Sequence, residues 1–436
     1  MRRWTRTALS GLAVIALAAG VFAVGAAAGS LDPPDAPAPD VSAGPVRDPL
    51  ARSIADLQVE LERVPTNWGA WASLGLAYVQ QARLTADPGL YARAEGAFAT
   101  SLELRPRDNG VALTGQASLA AARHDFAEAL ALTDRALAVN AFSATTFAVR
   151  SDALTELGRY DDARTAIQQL LDLRPGLDGY TRASYAFELR GEVDRAKALL
   201  EQAVEQAAAP ADVAFAQYYL GELAWNSGDV DAAEAAYADG LAADPTSLPL
   251  VAGRAKVLAA RGETAAAEQE YAAVVARLPL PEHLLAYGEL LEATGKTEQA
   301  QEQYAVLRAT QQLYAANGQD VDTELALFEA DHGAPADAVA RASAAYAKRP
   351  QAVFTQDAYA WALHVAGRSA EALPIAKAAT RLGLRQPALY YRLGAVAAAA
   401  GDTATAKAAL TKALELNPRF SPLHAPRAQA LLRSLG

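Results

Sequence analysis

From Leu50 onward, apolar residues recur in paired stripes at helical spacing, and each pair is followed by another like it. In residues 217–245, Leu220, Gly221 and Ala224 mark one inner face. Ala233, Tyr237 and Gly240 mark a second, at i, i+4, i+7. Gly228 stands between them, where a left-handed backbone lets a helix end without strain. Pro245 closes the unit, because proline cannot continue a helix interior. Residues 390–418 repeat the pattern with Leu393, Gly394, Ala397, Gly401, Ala406, Leu410, Ala413 and Pro418. Glycine recurs ahead of an alanine-led helix at Gly158, Gly191, Gly228, Gly262, Gly295, Gly333, Gly367 and Gly401, a period of about 34 residues. That period predicts helix–turn–helix units that stack on one another.

The first helix of each unit (helix A) is predicted to begin near Trp68, Gly110, Ala144, Leu177, Ala214, Leu248, Pro281, Gln319, Val353 and Pro387. A lone helix is expected at about 50–64, and a last one at about 425–435 to cover the apolar end of the stack. The first unit carries about seven extra residues around Arg83–Tyr91. The eighth starts late, after a helix that runs on through Gln311–Tyr314.

The amino-terminal end is different. Arg2, Arg3 and Arg6 precede a run without charge from Ala8 to Ala28, long enough as a helix to span about 30 Å of hydrocarbon. The run ends in Ala26-Ala27-Ala28, a small-residue cleavage signature, so residues 1–29 read as a membrane anchor or a cleaved signal peptide. The basic start keeps that end in the cytoplasm, with the remaining chain membrane-anchored outside it or exported. Residues 30–49 are proline-rich and read as an extended linker. The repeat array is expected over 50–420 and a capping segment over 421–436.

Composition narrows the function. The chain is 52% hydrophobic and 20% charged, as folded chains are. Much of the apolar content is alanine, the best helix former. The net charge of −11 argues against nucleic acid as a partner, since that binding needs Lys and Arg on phosphates. The absence of cysteine excludes thiol catalysis and Cys-ligated metals. Thr294-Gly295-Lys296-Thr297 looks like the end of a phosphate-binding loop, but the required earlier glycine is Leu290 and no strand precedes it. The nearest approach to a metal site is Glu329, Asp331 and His332, at a turn where solvated polar residues are ordinary. No catalytic, cofactor-binding or metal residue is therefore assigned, and the chain reads as a non-enzyme.

The series of small residues, with large apolar ones around them and proline last, resembles the tetratricopeptide repeat family. The resemblance covers nearly all of residues 50–420. It implies an all-α, right-handed superhelical solenoid of about ten helical hairpins plus a capping helix. It also implies a concave groove lined by helix A, with the second, fifth, ninth and twelfth positions of each unit facing in. Those positions hold Asp152, Asp178, Tyr185, Glu188, Phe215, Tyr218, Glu222 and Trp225, then Glu282, Glu289, Glu292, Asp357, Trp361, His364 and Tyr391. Only Lys256 among them is basic. Family members that grip acidic carboxyl-terminal tails use Lys, Arg and Asn here, so such a tail is not the expected partner. Acids around aromatics suit protein or peptide segments with basic and apolar anchors, and Phe215, Tyr218, Trp225 and Tyr185 form the expected hot spot. The function implied is a protein-binding scaffold or adaptor of the bacterial cell envelope, tethered by the amino-terminal helix. The alternatives are a secreted binder after signal cleavage and an accessory subunit of an envelope enzyme.

Overall fold

A computed structural model describes residues 49–436, together with a short antiparallel pairing of Ala16–Leu17 with Gly20–Val21. The rest of residues 1–48, and with them most of the expected signal or anchor helix and the proline-rich linker, lie outside the described residues. The pairing itself is not helical, and among the described residues no helix is long and apolar enough to cross a membrane.

The described chain is a series of twenty-two helices. Helix α1 (Pro49–Arg63) comes first, then hairpins α2 (Trp68–Thr85) with α3 (Leu90–Leu104) and α4 (Gly110–Ala122) with α5 (Phe126–Val139). Next are α6 (Ala144–Glu156) with α7 (Tyr160–Leu173), α8 (Leu177–Glu188) with α9 (Val193–Glu205), and α10 (Pro210–Asn226) with α11 (Val230–Ala243). Then follow α12 (Leu248–Arg261) with α13 (Thr264–Arg277), and α14 (Pro281–Ala293) with α15 (Thr297–Ala316). The last are α16 (Asp322–His332) with α17 (Pro335–Lys348), α18 (Val353–Val365) with α19 (Ser369–Ala379), α20 (Pro387–Ala399) with α21 (Thr403–Leu416), and α22 (His424–Ser434). The twenty-two helices thus make ten hairpins flanked by two single helices, with α1 packed on α2 at one end and α22 on α21 at the other.

Local chemistry sets these boundaries. Asn67, Asn109, Asp125, Ser143, Asp229 and Asp402 each accept a backbone N–H at a helix start, filling a donor the helix cannot satisfy itself. Pro210, Pro281, Pro335 and Pro387 open helices where the missing N–H is no loss. Pro210 also explains one correction: α10 begins four residues before the expected Ala214, on a preset φ and an extended Ala209.

Packing follows the small-residue positions. Tyr237 of α11 is fully buried between Gly221 of α10 and Gly253 of α12. A Cβ on Gly221 would lie 2.1 Å from its ring, and one on Gly253 2.7 Å. Phe98 sits likewise between Gly75 and Gly115, so one ring locks two successive units. Helix A of one hairpin touches helix A of the next, as α2 with α4 and α18 with α20, which puts these helices on the tighter, inner side of the curve.

The curve closes on itself. His124 Nδ1 meets the Asp320 carbonyl at 2.7 Å, 196 residues on. The Asp320 amide donates to the Arg123 carbonyl at 2.8 Å. The Tyr160 hydroxyl accepts from the Val353 amide at 2.9 Å, and Asn417 Nδ2 donates to the Trp225 carbonyl at 2.8 Å, across 193 and 192 residues. Gly191 faces the Gly383 carbonyl in the same way. Each partner pair joins the turn inside one hairpin to a junction between hairpins five to six units later. The result is a regular seam between successive superhelical turns. It also accounts for α16 starting at Asp322 rather than Gln319: the seam holds Asp320 outside the helix.

Candidate partner-binding surface

The seam turns much of the inner wall into an interior. Phe215, Trp225, Trp361 and Tyr391 of the expected groove set are buried. Trp225 packs with Ala214, Tyr237 and Leu250, while Trp361 and Tyr391 join the core formed by α18–α22. The Trp361 indole donates to Asp331 Oδ1 at 2.9 Å, and Tyr391 stacks on His424 at 5.1 Å. Tyr185 and Tyr218 are half-buried. Tyr185 packs against Tyr160, Leu189 and Val353 at the seam, and Tyr218 packs edge-on to Tyr219. Of the expected hot spot, Phe215 and Trp225 are thus buried, with Trp225 packed between adjacent units.

The expected acidity is partly offset. Several of the acids have cation partners, and apart from Lys256 these lie outside the groove positions. Arg182 grips Asp152 through both carboxylate oxygens, at 2.9 and 2.8 Å, with both side chains almost wholly buried. Arg392 binds Asp357, Arg349 binds Glu156, and Lys256 binds Glu222 at 2.6 and 2.8 Å. Glu222 also accepts from the Tyr237 hydroxyl at 2.6 Å. These arginines lie beside the positions that face the groove, and long side chains let their heads reach it. Glu289 and Glu292 flank His332 at 3.6 and 3.4 Å, and Glu292 accepts from Tyr304 at 3.0 Å.

Two carboxylates stand apart. Among the described residues Glu188 is touched by the Asn226 amide, at 3.4 Å, and by no cation, and burial pushes its carboxyl up to about 7. Glu282 has no cation partner among the described residues, and burial raises it likewise to about 7, with Glu324 adding to the shift. Beside it His283 is buried and pushed down to about 4, so its imidazole is neutral. Its Nε2 has no hydrogen-bond partner among the described residues. The repeat pattern places Glu282 on the groove, whereas His283 stands in the sequence as one of five scattered histidines. Their adjacency at the start of α14 is visible there, but the cavity beside them is not.

The side chains of Glu329, Asp331 and His332 diverge to Arg308, Trp361 and the Glu289–Glu292 pair. Among the described residues no group of three or more His, Asp or Glu is placed to hold a metal ion. Lys296, at the end of the phosphate-loop look-alike, is a turn residue paired with Glu268.

Comparison with known proteins agrees with the repeat architecture. The tetratricopeptide repeat family is matched at residues 114–178 and 180–247, and again at 387–420, so these stretches are tetratricopeptide repeats. No curated protein sequence matches the chain. Among solved structures it is similar to the APC/C hetero-tetramer Cut9–Hcn1, with 14% identity and a TM-score of 0.40 over 88% of this chain and 90% of that one. It is similar to a thermophilic TPR protein of Thermus thermophilus, with 24% identity and a TM-score of 0.38 over 44% of this chain and 99% of that one. A third is PilW, a type IV pilus biogenesis factor, with 22% identity and a TM-score of 0.38 over 46% of this chain and 92% of that one.

Proposed function

We propose that this stack is a non-catalytic scaffold whose inner wall holds protein segments carrying basic and apolar side chains. The observation that carries the reading is the pair of half-buried carboxylates without cation partners among the described residues, Glu188 and Glu282, beside half-buried tyrosines. An unpaired buried carboxylate is unfavourable, and a cation brought by a partner relieves it. Glu289 lies on the same wall, and among the described residues the group that pairs with it is His332. The basic start and apolar run of residues 1–28 support a location outside the cytoplasm, either tethered or released, and hence a role in a bacterial cell envelope.

The test is direct binding of twelve-residue peptides to the full chain in detergent. Peptides mixing Lys or Arg with Leu or Phe are expected to bind, and charge-reversed versions are not. The variant carrying Glu188→Gln and Glu289→Gln is expected to lose about tenfold in affinity, or about 1.4 kcal/mol. Equal binding of both peptide sets, or of neither, would refute the reading. Sequencing the amino terminus of the mature protein separates a tethered from a released form.

A further inference from the structure

At its first contact the seam is not filled. The end of α2 meets the junction between α13 and α14, and a cavity of about 170 Å³ remains there. The corresponding space beside Glu156 and Tyr160, two seam contacts further, is only about 10 Å³, room for a single water. Leu84 and Thr246 at the larger cavity are exposed, so solvent reaches it. Its walls are largely aliphatic, from Leu84, Leu248, Leu278 and Leu280. Its polar groups include Tyr218, Glu282 and His283.

The chemistry of that lining is selective. Glu282 is a carboxylate without a cation partner among the described residues, and the charge acting on it from nearby is that of Glu324, another acid. His283 is neutral and offers an unpartnered Nε2. Tyr218 keeps its proton, because burial and the nearby Glu222 and Glu282 hold its pKa well above the usual value. Arg83 also lines the cavity, and Asp152 is the carboxylate whose opposite charge acts on it most. The cavity is close in size to one that holds benzene, about 150 Å³, which admits about six heavy atoms.

We propose that this cavity binds a primary alkylammonium group on a short aliphatic stem, with the ammonium against Glu282, Tyr218 and His283 and the stem against the leucines. An ammonium has three N–H donors and no acceptor, matching three acceptor groups at the polar side. The four methylenes of a lysine side chain have the right length, as does a free amine of similar size. The proposal rests on reading the inner wall as a binding surface, and it names one anchor point on that wall.

Calorimetry on the full chain in phosphate buffer at pH 8, with n-pentylamine and 1-pentanol as matched probes, tests it. The amine is expected to bind at least about tenfold more tightly than the alcohol. Glu282→Gln is expected to erase that preference while leaving the alcohol's affinity unchanged. Leu280→Phe, which fills the cavity, is expected to abolish both. If Glu282→Gln does not fold, Tyr218→Phe serves instead, with a severalfold loss of the amine preference. Equal binding of amine and alcohol by the wild type overturns the proposal, as does a preference that survives in the variant. Lysine blocked at its backbone amine and carboxyl forms a second arm. Binding as tight as pentylamine assigns the site to a partner's lysine, and binding of the free amine alone assigns it to a small molecule. Failure of the amine with retention of peptide binding through Glu188 and Glu289 removes the pocket and leaves the scaffold standing.

Discussion

The side-chain amide of Asn417 donates to the backbone carbonyl of Trp225 at 2.8 Å, 192 residues earlier, and Asn417 is wholly buried. The bond joins the end of α21 to the turn after α10, two superhelical turns meeting edge to edge. Contacts of the same kind recur at His124, Tyr160 and Gly191. An open solenoid offers its inner wall to solvent along its whole length, whereas this one covers part of that wall with its own next turn. What a partner meets is then decided by where the seam is loose.

The seam is tested by two glycines with the same backbone and different neighbours. Gly228 and Gly262 both have φ of +84°, so alanine strains each alike, by about 1 kcal/mol. A Cβ on Gly228 would lie 2.0 Å from the Leu416 carbonyl, while one on Gly262 meets nothing within 4 Å. Gly228→Ala is expected to open the seam and raise the radius of gyration measured by small-angle X-ray scattering, with helical content unchanged. Gly262→Ala is expected to lower the Tm by a few degrees and leave the scattering curve as it was. Identical scattering from the two variants would show that the turns are not in contact in solution.

The Asp152–Arg182 pair gives a second prediction. Both side chains are almost wholly buried and joined by two hydrogen bonds, and Arg182 also donates to the Asp178 carbonyl at 2.9 Å. Arg182→Met leaves a buried carboxylate without its partner and is expected to destabilise by about 3–5 kcal/mol. Adding Asp152→Val removes the stranded charge and is expected to recover most of that loss, since a buried pair and an apolar pair of similar volume are often equivalent. Urea denaturation of the two variants reads the difference. A double variant no more stable than Arg182→Met would mean that the cost lies in lost packing instead of charge.

What was legible in the sequence follows the range of the forces involved. Most helix starts, such as Trp68, Gly110, Ala144, Val353 and Pro387, fall where the repeat pattern puts them, because caps, prolines and apolar spacing act within a few residues. The two starts that moved have local and distant causes. Pro210 extends α10 through its own ring, and Asp320 is held back by Arg123 and by His124, 196 residues away. The groove was harder still. Positions taken from the repeat pattern identify which way a side chain points, but not whether adjoining helices bury it, as Tyr237 and Leu250 do for Trp225, nor which neighbour neutralises it, as Arg182 does for Asp152. The closure depends on the sum of small rotations between units, which no single repeat reveals.

The rings that lock adjacent units give a third prediction. Gly221→Ala drives a methyl group into the Tyr237 ring, which is fully buried and hydrogen-bonded to Glu222. Overpacking of this kind destabilises by about 1–3 kcal/mol. Combining it with Tyr237→Leu is expected to cost less than the two single changes added together, because each removes the other's clash or cavity. Thermal denaturation of the four-membered cycle measures that coupling, and simple additivity would show that the ring moves aside freely.

The unpaired Glu188 sets the sign of a pH effect. Its folded-state pKa is raised to about 7 by burial, against 4.5 for an unhindered glutamate. Between those values the folded chain keeps a proton that the unfolded chain has released, so the contribution of this residue to stability is greatest at low pH and declines as pH rises from about 4.5 to about 7. His283 and His424, both pushed down to about 4, act in the opposite sense from about 4 to 6.5, while Asp152, Glu156 and Glu282, raised by burial like Glu188, act in the same sense, so the wild type alone does not isolate this residue. Comparison with Glu188→Gln removes that background, because all of these other groups are common to both proteins. At pH 4.5 the two are expected to have nearly the same Tm, since a protonated glutamic acid and a glutamine are both neutral. At pH 8 the wild type must hold a half-buried anion beside the Asn226 amide 3.4 Å away, and the variant holds none. The Tm of Glu188→Gln minus that of the wild type should therefore grow steadily between these pH values. A difference that is flat, or that falls with pH, would mean a cation reaches Glu188 in solution. The residue would then be no vacancy for a partner's charge.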